Sequence, residues 1–133
     1  MLVSHKVTAG VTIVSDRTGK KIPLPKLLLN GRPNRKIITE AKVIRNSSID
    51  TLLQILARPD SVVATRMCFI PRQAILLISK GKTSYIDICF HCHSYDTSKD
   101  LASISNFDEQ RWTELESYFR THGLTYKLDE PFD

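Results

Sequence analysis

The stretch that decides the fold runs from Val62 to Cys92 and reads VVATRMCFIPRQAILLISKGKTSYIDICFHC. Residues 75–78 form a short apolar run of strand length, which is typical of a strand buried on both faces. Residues 85–91 alternate between polar and apolar side chains, as expected of a strand with two different faces. Gly81 lies between them and supplies the positive φ that a short hairpin loop needs. The stretch therefore predicts an antiparallel β-meander over residues 62–91.

One helix is predicted before this meander, over about residues 48–57. Ser47 is a suitable N-cap, and Asp50 in the first turn suits the positive end of the helix dipole. Pro59 ends the helix, because proline cannot donate the next backbone hydrogen bond. The apolar residues that recur at helical spacing, and so predict one buried stripe, are Ile49, Leu52, Leu53 and Leu56.

A second helix is predicted after the meander, over about residues 107–122. Asn106 or Asp108 caps it, and Gly123 terminates it. Its predicted buried face consists of Trp112, Leu115 and Phe119. The polar tail from Leu124 onward is expected to be loosely attached.

The remaining segments complete an α+β pattern. Further strands are predicted within residues 3–14, 22–29 and 36–44, and residues 93–99 read as a polar loop. Strands, helix, strands and helix follow one another without regular βαβ alternation, which favours an α+β fold. We expect a single domain over residues 1–133, with a mostly antiparallel sheet and both helices packed on one face.

Composition indicates a globular protein, which we expect to be cytoplasmic or to have had a leader sequence removed. The chain has 133 residues, of which 41% are hydrophobic and 25% are charged, as in ordinary soluble domains. No apolar run approaches the roughly 18 residues of a membrane span, and the start lacks the apolar core of a signal peptide. Three cysteines are an odd number and too few for a disulfide scaffold. Reduced thiols are therefore expected.

The net charge of +5 is unevenly distributed. Nine basic residues and one acidic residue, Glu40, lie between Arg17 and Arg45, whereas acidic residues predominate from Asp96 onward. The basic half predicts either a surface for an acidic protein or nucleic acid, or a solvated face that the acidic helix partly neutralises. No aromatic residue interleaves the basic ones, which disfavours base stacking. The candidate partner-binding residues are Lys20, Lys21, Arg35, Lys36 and Arg72.

A cluster of cysteine and histidine residues is the main candidate for site chemistry: Cys68, Cys89, Cys92, His91 and His93. Cys-x-x-Cys is a zinc-ligand spacing, and three cysteines with one histidine would complete a tetrahedral site. Phe90 and His91 nevertheless fill the gap in which zinc knuckles usually have small residues. Buried core cysteines and reactive thiols are the two alternatives.

The same stretch carries a resemblance. Cys68-Phe69-Ile70-Pro71-Arg72 followed by Ile88-Cys89-Phe90-His91-Cys92 resembles a pattern in small bacterial proteins that have no agreed activity. In these, a Cys-x-x-Pro-Arg segment precedes an Ile-Cys-Phe-x-Cys strand. This chain has Gln73-Ala74 where the pattern often has His-Gly after the arginine. The resemblance covers about 25 residues and implies a shared folding unit and a bacterial origin.

No catalytic constellation is present in the sequence. It has no phosphate-binding glycine loop, no Gly-x-Ser-x-Gly and no His-Glu-x-x-His motif, and His5 and His122 have no evident partners. We therefore expect a non-catalytic protein-binding module, of which a toxin-neutralising immunity protein is one concrete form. Its partner would be a protein with an acidic surface rather than nucleic acid or a membrane. The alternative is a zinc-binding domain that uses the cysteine–histidine cluster, and no other cofactor is expected.

Overall fold

The computed structural model describes residues 1–6, 13–15, 21–23, 26–57, 70–101 and 107–130. Of residues 13–15 and 21–23 only the backbone is described. In chain order the elements are β1 (Leu2–His5), β2 (Ile13–Ser15), β3 (Lys21–Pro23), β4 (Leu28–Leu29), β5 (Arg32–Pro33), β6 (Ile38–Lys42), α1 (Ser47–Ala57), β7 (Gln73–Ser79), β8 (Lys82–Cys89), β9 (Ser94–Thr97), a 3₁₀ helix (Lys99–Leu101) and α2 (Glu109–Thr121).

The main sheet has five strands in the order β6-β1-β7-β8-β9, and every neighbouring pair is antiparallel. Two small sheets, β2-β3 and β4-β5, accompany it among the described residues. With two helices this is the predicted α+β fold. The first strand of the predicted meander, within residues 62–68, lies outside the described residues. β7 pairs with β8 on one side and with β1 on the other, so β1 occupies the position expected for that first strand.

The hairpin between β7 and β8 is confirmed. Ser79 pairs with Lys82, so the loop consists of two residues, Lys80 and Gly81. Both have positive φ angles, +50° and +78°. This combination is the type I′ geometry, whose twist matches that of the flanking strands. Glycine tolerates such a φ without a steric penalty, which explains its position here.

The two faces of the sheet pack against different parts of the chain. Ile86 and Ile88 of β8 join the larger core with residues of both helices, so the helices cover one face as predicted. The opposite face buries a smaller cluster, which consists of Val3, Leu27, Ala74 and Leu76. Residues of β7 and β8 alternate between the two clusters, which is the period of two expected of strands.

Helix α2 closely follows its prediction. Asp108 caps it, and its carboxylate accepts a hydrogen bond from the backbone N–H of Arg111 at 2.8 Å. Gly123, with a φ of +84°, follows its end. The predicted buried face is confirmed, since Trp112, Leu115 and Phe119 are all buried.

Helix α1 has the predicted position but not the predicted buried stripe. Leu52 and Ile55 are buried, whereas 39% of Ile49 and 53% of Leu53 is exposed. Ile49 and Leu53 lie four residues apart and so share one side of the helix, which is exposed at both positions. The expectation that both are buried was therefore wrong.

The segment after α2, residues 124–130, is part of the core, so the expectation of a loose tail was wrong. Leu124 and Leu128 are buried in the larger cluster. Between them, the Tyr126 carbonyl accepts a hydrogen bond from Gln73 Nε2 at 2.7 Å. The Tyr126 N–H donates to Glu40 Oε1, also at 2.7 Å. We call residues 124–130 the C-terminal segment.

The predicted polar loop at residues 93–99 contains a strand, β9. It pairs with β8, with Tyr95 opposite Ile88. The Tyr95 ring stacks on Phe107 with 4.8 Å between ring centroids. The polar composition of Ser94, Asp96 and Thr97 concealed this strand, because among the described strands β9 lies at an edge and pairs with β8 alone.

Candidate functional site

Cys89 ends β8 as a free and buried thiol. Its Sγ accepts a hydrogen bond from the backbone N–H of Cys92 at 3.2 Å. Burial raises the pKa of the Cys89 thiol above its ordinary value. Backbone N–H groups of Ile70, Cys92 and His91 act on that pKa in the opposite direction, as does the charge of Arg72. The hydrogen bond from the Cys92 N–H is therefore the direct contact of this sulfur atom, and burial dominates its pKa.

Cys92 is buried and disulfide-bonded. The expectation of reduced thiols thus holds for Cys89 and was wrong for Cys92. Cys68, the third member of the predicted set, lies outside the described residues. Within the described part of the chain, no three histidine, cysteine, aspartate or glutamate side chains form a group that could hold a metal ion.

The two histidines of the cluster have other contacts. His91 is exposed, and its Nε2 donates to the Glu130 carbonyl at 3.1 Å. The ring of His93 stacks on Trp112 with centroids 5.3 Å apart and planes inclined by 10°. His93 Nδ1 also lies 3.1 Å from the carboxylate of Glu109. These contacts hold both rings toward the C-terminal segment and α2.

A buried pair of ionisable groups, which the sequence did not reveal, lies on the opposite face of the sheet from the helices. His5 Nε2 is 2.7 Å from Asp87 Oδ1, and both side chains are almost completely buried. His5 Nδ1 is 2.5 Å from the carbonyl oxygen of Lys6. A carbonyl oxygen can only accept, so Nδ1 carries a hydrogen and donates it.

One further proton therefore lies between Nε2 of His5 and Asp87. It makes the pair either an imidazolium with a carboxylate or a neutral imidazole with a carboxylic acid. In both cases the two ring nitrogens of His5 are engaged within the protein. This arrangement serves the cohesion of β1 and β8 and leaves no ring nitrogen of His5 available to take a proton from a substrate.

The predicted basic surface is present along residues 26–45, which we call the basic segment. It has one acidic residue, Glu40, and six basic residues, all of them exposed: Lys26, Arg32, Arg35, Lys36, Lys42 and Arg45. The loop and strand geometry explains the exposure, because β6 is an edge strand and Arg35 and Lys36 lie in the turn before it.

These basic side chains are not neutralised by the described residues. None of the six forms an ion pair within the described part of the chain. The carboxylate of Glu40 instead accepts the N–H of Tyr126. The exposure of these side chains fits both predictions, a surface for an acidic partner and a solvated face, and among the described residues α2 forms no ion pair with the basic segment.

The other predicted partner-binding residues lie elsewhere. Arg72 is partly buried beside β7, and its guanidinium lies 3.5 Å from the Pro71 carbonyl. Lys21 begins β3, of which only the backbone is described, and Lys20 lies outside the described residues. Of the five predicted residues, the structure thus places Arg35 and Lys36 together on an exposed surface.

Comparisons with protein-family models, with curated proteins and with solved structures found no match. Among the described residues, no helix has both the length and the apolar character needed to cross a membrane. The function is therefore inferred from the chemistry of the surface and of the cysteine region.

Proposed function

We propose that this protein is a protein-binding module whose basic segment contacts an acidic surface of a partner. The observation that carries the proposal is the set of six exposed basic side chains that have no ion pair with any described residue. Clustered charges of one sign attract a partner of opposite charge and accelerate its association. The geometry supports this function better than catalysis, because the His5–Asp87 pair is buried and internally engaged.

A protein is a better match than nucleic acid for this surface. The basic segment contains no aromatic residue on which a base could stack. Affinity for nucleic acid would come from phosphate contacts alone and would fall steeply with salt concentration. A folded acidic partner would also retain apolar contacts, for which exposed Leu29 and Val43 are available beside the basic side chains.

Capture from the native host tests this function. We expect the double variant Arg35→Glu/Lys36→Glu to recover at least tenfold less of the partner than the wild-type protein. Lys80→Glu/Lys99→Glu is the matched control, because it changes net charge equally at exposed positions outside the basic segment. Equal capture by all three proteins would remove the basic segment from the binding surface.

A bacterial toxin-neutralising protein is one concrete form of this function. The resemblance of the Cys-x-x-Pro-Arg turn and the following strand supports the bacterial origin, and the basic segment would bind an acidic toxin surface. Co-expression with the product of each neighbouring gene tests this form. Rescue of growth from a toxic neighbour, lost in Arg35→Glu/Lys36→Glu, is expected; no toxic neighbour in the native operon would contradict it.

Zinc binding is the second candidate, and it rests on the donors around Cys89. Burial raises the pKa of the Cys89 thiol, and backbone N–H groups and the charge of Arg72 oppose this shift, as they would stabilise a metal-bound sulfur. The disulfide of Cys92 competes with this function, so zinc must be tested on reduced protein. Less than about a tenth of an equivalent of zinc in reduced, chelator-free protein would exclude a structural zinc site.

Substitution of the cysteines separates the two candidates. If the cysteines serve the core, Cys89→Ala should lower the free energy of unfolding by about 1–2 kcal/mol. Cys92→Ala should lower it by about 2–4 kcal/mol in oxidised protein, because a disulfide is lost. A zinc site instead predicts large and nearly equal losses at both positions, matched by wild type in EDTA.

We propose a cytoplasmic location from composition, and the disulfide of Cys92 offers its test. Disulfides persist in oxidising compartments and are rare in the cytosol. Thiol trapping in intact host cells should find three reduced cysteines if the protein is cytoplasmic. A trapped disulfide at Cys92 in intact cells would instead indicate an oxidising compartment.

A further inference from the structure

Strand β6 has an outer side that no described strand covers. It lies at one end of the sheet order, and its only described strand neighbour is β1. An edge strand presents a row of backbone N–H and C=O groups to which another extended chain can pair.

The pairing of β1 identifies the outward-facing groups. Met1 exchanges two backbone hydrogen bonds of 2.7 Å with Leu76, so the backbone groups of Met1 face β7. The backbone groups of Leu2 therefore face β6, in which Leu2 is paired with Lys42. Because successive residues direct these groups to opposite sides, Ala41 and Val43 point outward from this edge, whereas a register shift between Ser4 and His5 of β1 interrupts the alternation at Thr39. Within the described part of the chain, none of these residues forms a hydrogen bond outside the sheet.

The side chains along this edge leave room for a neighbour. Thr39, Ala41 and Val43 are exposed, and Thr39 and Ala41 are small. Exposed basic residues flank the open edge at both ends: Arg35, Lys36, Lys42 and Arg45. The edge therefore offers backbone groups that can pair with another strand. Its positive charge favours a strand that carries acidic residues.

We propose that the occupant of this edge is an extended acidic segment of the partner protein, which adds as a sixth strand beside β6. This inference rests on the proposed function and specifies how the basic segment holds its partner. Backbone hydrogen bonds to Ala41 and Val43 supply the pairing, and carboxylates of the segment meet the flanking basic side chains. Alternating β-branched residues would suit the pleat of the added strand.

Charge disfavours a second copy of β6 as the occupant. In an antiparallel pair of two β6 strands, the Arg35–Lys36 end of one copy would meet the Lys42–Arg45 end of the other. Basic residues would then oppose basic residues at both ends of the pair. Charged residues on edge strands commonly prevent such self-pairing. The same charges attract an acidic strand.

The test uses a fluorescent nine-residue peptide in which glutamate alternates with valine and threonine. Its matched control has the same sequence with the five central amides N-methylated, which keeps the charge and removes the donors needed for pairing. We expect the unmodified peptide to bind at least tenfold more tightly by anisotropy. On binding, the exchange of the Ala41 and Val43 amide hydrogens should slow.

Two protein variants complete the test. Ala41→Pro removes an outward N–H and should weaken binding at least tenfold, whereas Ala41→Val keeps that N–H and should bind like wild type. Arg35→Glu/Lys36→Glu should abolish binding of either peptide. If Ala41→Pro does not fold, the amide exchange of wild-type protein decides the question alone.

The outcomes separate this inference from the proposed function. Equal, charge-dependent binding of both peptides would overturn strand addition and leave the basic segment as a binding surface. No charge-dependent binding of either peptide, together with unchanged capture by the charge-reversed protein, would overturn both. Sedimentation that shows self-association lost in Ala41→Pro would make a second copy the occupant and overturn the acidic strand.

Discussion

The acidic end of the chain and the basic segment use their charges differently. Arg120 lies in ion pairs with Glu116 and Asp129, and Lys127 pairs with Glu130, so these basic residues of α2 and the C-terminal segment have acidic partners nearby in the chain. The six exposed basic residues of the basic segment have no such partner among the described residues. Both regions are on the surface and both keep a net charge, but the basic side chains of the basic segment have no ion pair with a described residue, whereas Arg120 and Lys127 do.

The difference indicates which charges serve the fold and which remain for a partner. Ion pairs hold Arg120 and Lys127 to acidic side chains of their own region, whereas the positive field of the basic segment extends into solvent. The two regions meet at one described hydrogen bond, from the Tyr126 N–H to Glu40. The only acid of the basic segment is thus used to fix the C-terminal segment.

The largest loss of stability is expected at the His5–Asp87 pair, whose side chains are almost completely buried. His5→Leu leaves the Asp87 carboxylate buried without the imidazole, and loss of one partner of a buried pair costs about 3–5 kcal/mol. Urea denaturation measures this loss, with Arg35→Leu as the exposed control, which should change little. The double variant His5→Leu/Asp87→Leu should recover part of the stability. A loss below about 1 kcal/mol in His5→Leu would show that the pair is not a buried charge pair.

The next effect concerns the attachment of the C-terminal segment. Leu124 is buried in the main core, so Leu124→Ala should lower the free energy of unfolding by about 2–5 kcal/mol. Leu53→Ala is the control, because Leu53 is 53% exposed and alanine is a good helix former. Equal stability of the two variants would make the C-terminal segment a loose tail after all, and the comparison of the two regions would lose its structural basis.

A smaller effect is expected at the contact between the regions. Glu40→Ala removes the acceptor of the Tyr126 N–H, and a hydrogen bond to a charged group contributes about 1–3 kcal/mol. Glu40→Gln keeps an acceptor without the charge and should lie between wild type and Glu40→Ala. Hydrogen exchange at the Tyr126 amide reports the contact directly. If its exchange rate is the same in all three proteins, the contact does not hold the C-terminal segment.

Local sequence signals predicted the elements that local chemistry determines. Gly81 identified the two-residue hairpin, and Asp108 and Gly123 marked both ends of α2, because turns and caps depend on a few neighbouring residues. The buried side of α1 could not be derived in this way. Ile49 and Leu53 are as apolar as Leu52, and only the position of the helix on the sheet determines which of them is covered.

Contacts between distant residues were beyond the sequence for a related reason. His5 and Asp87 are separated by 82 positions, and they meet because β1 lies two strands away from β8 across β7. The basic character of residues 26–45 was predictable by counting charges. Their lack of ion pairs with described residues was not, because neutralisation depends on where α2 and the C-terminal segment pack.

The smallest changes in stability are expected for two exposed arginines. Arg120 is ion-paired, whereas Arg35 has no ion pair with a described residue. Arg120 donates to both carboxylate oxygens of Asp129, at 2.9 and 3.2 Å, yet the pair is exposed to solvent. Exposed pairs contribute little and are screened by salt. Arg120→Ala should therefore cause a small loss of stability at low salt that disappears at high salt. Arg35→Ala should change the free energy of unfolding by less than about 0.5 kcal/mol at any salt concentration.

The pH dependence of Arg120→Ala distinguishes a real pair from two neighbouring side chains. The hydrogen bond and the charge of Arg120 hold the pKa of Asp129 below its ordinary value. A depressed pKa in the folded state means that the stabilisation is present above the ordinary pKa and is lost as the pH falls through the depressed one. Wild type and Arg120→Ala should thus differ at neutral pH and converge in strong acid. A difference that persists unchanged below the depressed pKa would show that Arg120 acts through packing of its aliphatic stem, and the contrast with Arg35 would no longer be one of charge.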